Sequence, residues 1–187
     1  MNLIHIKDMV CPRCVQSVER TFKQIGATSV EVQLGVVQID HHLSDTQSRK
    51  LDQLLEDDGF KRLQNVQEQQ IEQLKHIAMR YVDSLSMGSA VKLSQFVKER
   101  FNADYQKASR LFSTVVGITL EEYVIRLRIE KAKEWLLFKE CTLAEVADEL
   151  GYASAAYLSK QFKQVTGVTP TTFRISGHPI RIPKNQI

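Results

Sequence analysis

The sequence predicts an α+β chain: a small βαββαβ domain at the N-terminus, joined by a helix to an all-α domain with two helix-turn-helix units. Two patterns carry this expectation. Across residues 2–63, short apolar and β-branched runs alternate with stretches whose apolar residues recur every three or four positions, the signatures of strand and helix. Across residues 93–173 one helix–turn–helix pattern occurs twice. Charge separates the same two parts. Residues 1–87 hold 10 basic and 12 acidic side chains, residues 88–187 hold 15 and 10, and past Glu149 there is no acidic residue. A basic C-terminal part is what binding to a phosphate backbone requires.

Composition sets outer limits. With 187 residues, 43% hydrophobic and 25% charged, the chain is ordinary globular protein, long enough for two small cores. No run of about 18 apolar residues occurs, so no membrane span is expected. The opening MNLIHIKDMVC lacks the basic-then-apolar layout of a secretory signal, and a cytoplasmic protein is the expectation. Neither a glycine-rich phosphate loop nor a nucleophile elbow is found, so the chain is not expected to be an enzyme.

In chain order, residues 2–7 (NLIHIK) read as a strand. A helix to about residue 25 follows, with Pro12 in its first turn and Val15, Val18, Phe22 and Ile25 inward. Residues 29–33 and 36–40 are two short strands joined at Leu34 and Gly35 as a hairpin. Ser44 and Gln47 stand at capping-box spacing for a second helix over 44–58, which buries Leu51, Leu54 and Leu55. Gly59 ends it, and residues 60–63 supply the last strand. The order βαββαβ is the ferredoxin-like arrangement.

Residues 64–73 (QNVQEQQIEQ) contain no Gly or Pro, and Ile71, Leu74, Ala78, Tyr81 and Leu85 follow at alternating spacings of three and four. That is a helix, suited either to packing on the helical domain or to a short dimeric coiled coil. We read residues 65–88 as a helical connector packing on the helical domain, with a break at Met87, Gly88 and Ser89. The expected domains are 1–64, 65–88 and 89–187.

The helical domain is most legible at its second unit. Thr142 and Glu145 form a capping box for a helix with Leu143, Val146, Ala147 and Leu150 on one face. Gly151 can take the positive φ that closes a helix, and Ser154 can cap the next. Leu158, Phe162 and Val165 then make one buried stripe, while Ala155, Ala156, Ser159 and Lys160 lie opposite, small and hydrogen-bonding. An offset of 50 positions, 143 minus 93, aligns residues 93–123 with 143–173 without a gap. Leu93, Glu99, Ala103, Ser109, Phe112, Val115, Gly117 and Thr119 all meet identical residues. The units therefore span 93–117 and 143–167. Between them Thr119 and Glu122 cap a helix of about 20 residues, a rod of about 30 Å beside the roughly 34 Å of one DNA turn. Such a rod could set two reading helices in successive major grooves. Taken alone, each unit is also the pattern of an ordinary helical hairpin.

The doubled unit, closed by GVTPTTFR at residues 167–174, resembles the DNA-binding domain of AraC/XylS-type transcription regulators over roughly residues 71–176. The resemblance implies that each unit lays a recognition helix in the major groove of promoter DNA. It also implies activation, more often than repression, through contact with RNA polymerase. By position the base-facing residues are Gln106, Ser109 and Arg110 in the first copy, and Ala155, Ala156, Ser159 and Lys160 in the second. Arg110 and Lys160 suit guanine or phosphate, Gln106 adenine, and the alanines thymine methyls. Phe101 stands where the second copy has Gly151, which makes Asn102 the candidate for the left-handed residue of that turn. The tail GHPIRIPKNQI is basic and placed to touch backbone phosphate.

Residues 3–64 resemble the heavy-metal-associated domain of copper chaperones and copper-transporting ATPases. Met9, Cys11 and Cys14 fit the family's G-M-x-C-x-x-C, with Asp8 in place of its glycine, and Gly59-Phe60 falls where the family has glycine and an aromatic. Two thiols at a loop-to-helix junction can converge on one ion, and a helix N-terminus with Arg13 favours the thiolate. Two soft thiolates suffice for Cu(I). Zinc wants four ligands, which a second subunit or His5, His41 or His42 would have to complete. The same Cys11 and Cys14 also suit a reversible disulfide switch or a pair that only packs. His41 and His42 read as solvated, Met9 as packing under the loop, and Cys141 as structural. The combined reading is a sequence-specific DNA-binding transcription regulator with a metal-sensing N-terminal domain. Its rivals are a redox regulator working through Cys11 and Cys14, and a metal carrier with a docking module; monomer and dimer both stand open.

Overall fold

The computed structural model describes residues 2–86, 88, 91–138 and 141–176. Met87 and Ser89, where the sequence places a break, and the tail 177–187 lie outside the described residues. The chain divides into two compact units, Met1–His76 and Ile77–Ile187. Among the described residues no helix is long and apolar enough to cross a membrane.

The first unit runs β1 (Asn2–Lys7), α1 (Pro12–Gln24), β2 (Glu31–Gln33), β3 (Val36–Ile39), α2 (Asp45–Asp57) and β4 (Lys61–Leu63). Its sheet has the order β2-β3-β1-β4, and every pairing is antiparallel. Alternation along the strands decides what is covered: Ile6, Val37 and Ile39 pack with Val18 and Phe22 of α1 and Leu51 and Leu55 of α2 in one core. Each such side chain contributes roughly 1.5–3 kcal/mol on burial. The predicted capping box forms, with the Gln47 N–H donating to the Ser44 hydroxyl and the Ser44 N–H to the Gln47 side chain. Leu54, expected inward, is only half-buried.

The boundary between the units falls inside α3 (Val66–Leu85). Residues 65–76, read from the sequence as part of a connector packing on the helical domain, group with the sheet instead. Hydrogen bonds to β4 and to the loop before α1 are the reason. The Gln69 side chain donates to the Leu63 carbonyl (2.9 Å), the Asp8 N–H to Glu72 (3.2 Å) and His76 Nε2 to the Met9 carbonyl (2.8 Å).

Gly35, in the β2–β3 turn, lies under this helix at φ +79, and a Cβ there would stand 2.1 Å from His76 Cε1. The imidazole cannot step aside without losing its bond to Met9. Gly35→Ala is therefore expected to cost about 2–4 kcal/mol, from left-handed backbone strain plus overpacking. Urea denaturation followed by circular dichroism checks this, and a loss below about 0.5 kcal/mol would contradict it.

The second unit holds α4 (Leu93–Arg100), α5 (Tyr105–Val116), α6 (Leu120–Phe138), α7 (Leu143–Glu149), α8 (Ala155–Thr166) and α9 (Pro170–Ser176). α6 is its spine, about 28 Å long at 1.5 Å per residue. It buries residues on most of its circumference, from Leu120 and Tyr123 to Trp135 and Leu136, including the ion pair of Glu130 with Lys133. Around its C-terminal half, Ile129, Ala132, Trp135 and Leu136 form one core with Val146, Leu150, Leu158, Phe162 and Phe173.

Candidate nucleic-acid interface and thiol loop

The second helices of the two repeats, α5 and α8, are built alike. α5 starts after Asp104 and α8 after Ser154, whose hydroxyl accepts the Tyr157 N–H (3.2 Å). Both end on a left-handed glycine, Gly117 at φ 84 and Gly167 at φ 81. The hydroxyls of Thr119 and Thr169 then accept the N–H groups of Glu122 and Thr172, which starts α6 and α9 in the same way. Burial repeats as well: Ala108 and Phe112 face inward on α5, Leu158 and Phe162 on α8.

The faces turned to solvent therefore correspond position by position. Gln106 and Arg110 are exposed on α5, Ala156 and Lys160 on α8, and Ser109 and Ser159 are half-buried at the margins. Ala155 is also half-buried and packs against the core, because the first residue of the helix already turns under the Ser154 cap. Sequence reasoning omitted Lys107 and Thr114, and Tyr157, Lys163 and Gln164, all exposed on the same two faces. The offset of 50 would have found most of them, since Lys107 and Tyr157 are equivalent, as are Thr114 and Gln164. One prediction is corrected outright: Val165 is 40% exposed and does not join the buried stripe.

At the thiol loop Cys11 caps α1 and Cys14 sits in the first turn, with Pro12 between them as the first helical residue. Both thiols are half-buried and free, with their Sγ atoms 3.3 Å apart. Burial is the largest single influence on Cys11 and opposes its ionisation. The N–H groups of Cys14 and Arg13, the Cys14 thiol and the Arg13 charge outweigh it, holding Cys11 below the usual thiol range. Met9 is fully buried, as expected. Asp8, where the heavy-metal-associated pattern has glycine, takes the glycine conformation at φ 70. His41 is engaged with Asp40 (2.6 Å) and His42 with Asn2 (2.8 Å). Among the described residues no group of three or more His, Cys, Asp or Glu side chains is disposed to hold a metal. A donor set of two close thiols at a helix N-terminus fits an ion satisfied by two soft ligands, held by Cys11 and Cys14, better than tetrahedral zinc.

Residues 97–176 match the family model of the helix-turn-helix domain. Over this segment the chain is similar to that family. Over 65 residues the chain is 38% identical to the bifunctional transcriptional activator/DNA repair enzyme AdaA of Bacillus subtilis (strain 168), covering 35% of this chain and 31% of that protein. Over 97 residues it is 30% identical to the regulatory protein PocR of Salmonella typhimurium (strain LT2), covering 52% of this chain and 31% of that protein. The chain thus spans under a third of the length of these relatives. It is also similar to the solved C-terminal domain of AraT, a response regulator from Geobacillus stearothermophilus, with 28% identity, a TM-score of 0.47, and coverage of 55% of this chain and 84% of that one.

Within the helix-turn-helix domain the two turns differ. In the second, Gly151 is left-handed (φ 67), and the Tyr152 and Gly151 N–H groups close back on the Ala147 and Asp148 carbonyls. Tyr152 then lies under the Arg128 guanidinium, 3.8 Å from its carbon, and burial pushes the phenol up to about 12. In the first turn Asn102 is not left-handed, contrary to expectation. Phe101 is extended (φ −112) and buried, so a large side chain enters the core where the second copy bends at glycine. Arg100 leans back over the Phe96 ring, 3.6 Å from its centroid.

Proposed function

We propose that the protein is a sequence-specific transcription regulator of the AraC/XylS type that reads duplex DNA with α5 and α8. We further propose that its N-terminal unit is a ferredoxin-like, heavy-metal-associated-type domain sensing a thiophilic ion such as Cu(I). The observation that carries the first part is the matched pair of exposed faces in a segment that fits the helix-turn-helix family. That AdaA is by name a transcriptional activator and PocR a regulatory protein supports it. In this reading Arg110 and Lys160 donate to guanine, Gln106 pairs with adenine, Ala156 meets a thymine methyl, and Ala155, Ser159 and Ser109 line the margins. The protein acts in the cytoplasm, and RNA polymerase is the partner through which it activates.

The second part rests on the βαββαβ order with strand order β2-β3-β1-β4, and on the paired thiols at the N-terminus of α1. The 3.3 Å separation of the sulfurs equally suits a disulfide switch, which needs them to close to about 2.05 Å. One experiment separates the readings: fluorescence anisotropy of the reduced protein on a duplex selected from a random pool, with and without Cu(I) or Zn(II), and with Cys11→Ser/Cys14→Ser. Metal-dependent affinity lost in the double variant supports sensing. Affinity that follows oxidant and ignores metal supports the thiol switch. No preference for the selected duplex over a scrambled one contradicts the regulator reading.

Lys163, exposed at the edge of the α8 face, serves as a phosphate contact. Lys163→Ala is expected to weaken all duplexes alike and to reduce the slope of log affinity against log salt by about 1. A loss confined to the selected site would contradict that role.

A further inference from the structure

We propose that Glu72 is the positioning residue of the thiol loop: it holds the backbone left-handed at Asp8, where the heavy-metal-associated pattern has glycine, and so keeps Cys11 and Cys14 together at the N-terminus of α1. The role is built wholly within the unit Met1–His76, and its tie to a metal rests on the sensing reading above.

Asp8 stands at φ 70, and apart from Ser29 every other positive φ among the described residues belongs to glycine. A residue with a side chain is strained there and returns to negative φ unless its surroundings forbid it. Two bonds from α3 bracket the Asp8–Met9 peptide. Glu72 Oε1 accepts the Asp8 N–H (3.2 Å), and His76 Nε2 donates to the Met9 carbonyl (2.8 Å). Rotation of Asp8 to negative φ would turn these two groups relative to each other, and one of the bonds would break.

The carboxylate that does this is itself fixed. Glu72 is 6% exposed, with Lys75 Nζ at 3.9 Å and His76 Nε2 at 3.8 Å, so its bond to the Asp8 amide is shielded from competing water. His76 is wedged against Gly35, whose carbonyl accepts the Ile6 N–H (3.0 Å), and this seats the helix on the sheet. Glu72 lies beyond the βαββαβ segment, on a helix that follows β4. An element added to that segment thus supplies what its loop lacks. Only Val10 separates Met9 from Cys11, the cap of α1 whose Sγ is 3.3 Å from that of Cys14. Releasing Asp8 lets Cys11 leave the helix end, and the two sulfurs spend less time together.

Two measurements on the full-length reduced chain test this. One is chelator competition for Cu(I). The other, free of metal, is the equilibrium with glutathione disulfide, in which Cys11 and Cys14 give up two protons and two electrons to form one disulfide and two glutathione thiols are released; it is read on the peptide holding both cysteines. Glu72→Ala is expected to weaken Cu(I) binding by about tenfold and to lower the disulfide equilibrium constant by about threefold or more. Glu72→Gln keeps an acceptor and should match the wild type. Asp8→Gly, which needs no support at positive φ, should change neither value alone and should restore both in Asp8→Gly/Glu72→Ala. Cu(I) affinity that Glu72→Ala leaves unchanged, or a loss that Asp8→Gly does not restore, overturns the role while sensing stands. If the wild type takes up no Cu(I), sensing falls, and the glutathione equilibrium decides the role by the same pattern. Should Glu72→Ala not fold, Asp8→Gly/Glu72→Ala is compared with Asp8→Gly, and a tenfold difference in Cu(I) affinity or a threefold one in the disulfide constant overturns the proposal.

Discussion

Replacing Arg110 and Lys160 together by alanine is expected to weaken binding to the selected duplex by about 2–6 kcal/mol, with a much smaller loss on random DNA. Each long cation is exposed at the same position of its helix, one turn in from the N-terminus, where a recognition helix meets base edges. One good base contact gives about 1–3 kcal/mol of discrimination, and two on separate helices should add. Because both side chains project into solvent, the stability of the protein should stay within about 0.5 kcal/mol. Anisotropy titrations of the single and double variants on selected and scrambled duplexes make the comparison. Equal losses on both duplexes would show that the two residues only position the protein on phosphate.

Phe162→Ala is expected to destabilise the second unit by about 3–5 kcal/mol. Its ring is fully buried and meets Phe173 at 5.4 Å, in the core that also contains Leu158 and Trp135, so truncation leaves a cavity that rigid helices cannot fill. A domain of this size has only about 5–15 kcal/mol in hand. Urea denaturation followed by the fluorescence of Trp135, the only tryptophan, reports directly on that core. Val165→Ala, on the exposed side of the same helix, should cost under about 1 kcal/mol. A Phe162→Ala loss as small as that of Val165→Ala would mean the core is not built as described.

Local chemistry was legible in the sequence, and distant contacts were not. The capping boxes of Ser44 with Gln47 and Thr142 with Glu145 form as their spacing requires, because both partners lie within one turn. The helix ends at 117 and 167 follow from the repeat, and both glycines there are left-handed. Val165 is exposed and Ala155 packs on the core, against their apparent faces, because periodicity gives the direction of a side chain but not what packs against it. The first turn was misread because Phe101 fills the core itself and removes the need for a left-handed residue. Nothing local ties Glu72 to Asp8 or His76 to Met9, which are 64 and 67 positions apart. Those bonds place the first half of α3 with the sheet, so the thiol loop's closest dependence on the rest of the chain could be found only in three dimensions.

α5 and α8 are expected to engage one duplex together. Hydroxyl-radical footprinting of the wild type and of Arg110→Ala and Lys160→Ala on the selected duplex tests it most directly. The account predicts two protected segments about one helical turn, roughly 10 base pairs, apart on one face of the DNA, each weakened by the substitution in its own unit. A single protected segment, or two that respond identically to either substitution, would contradict it.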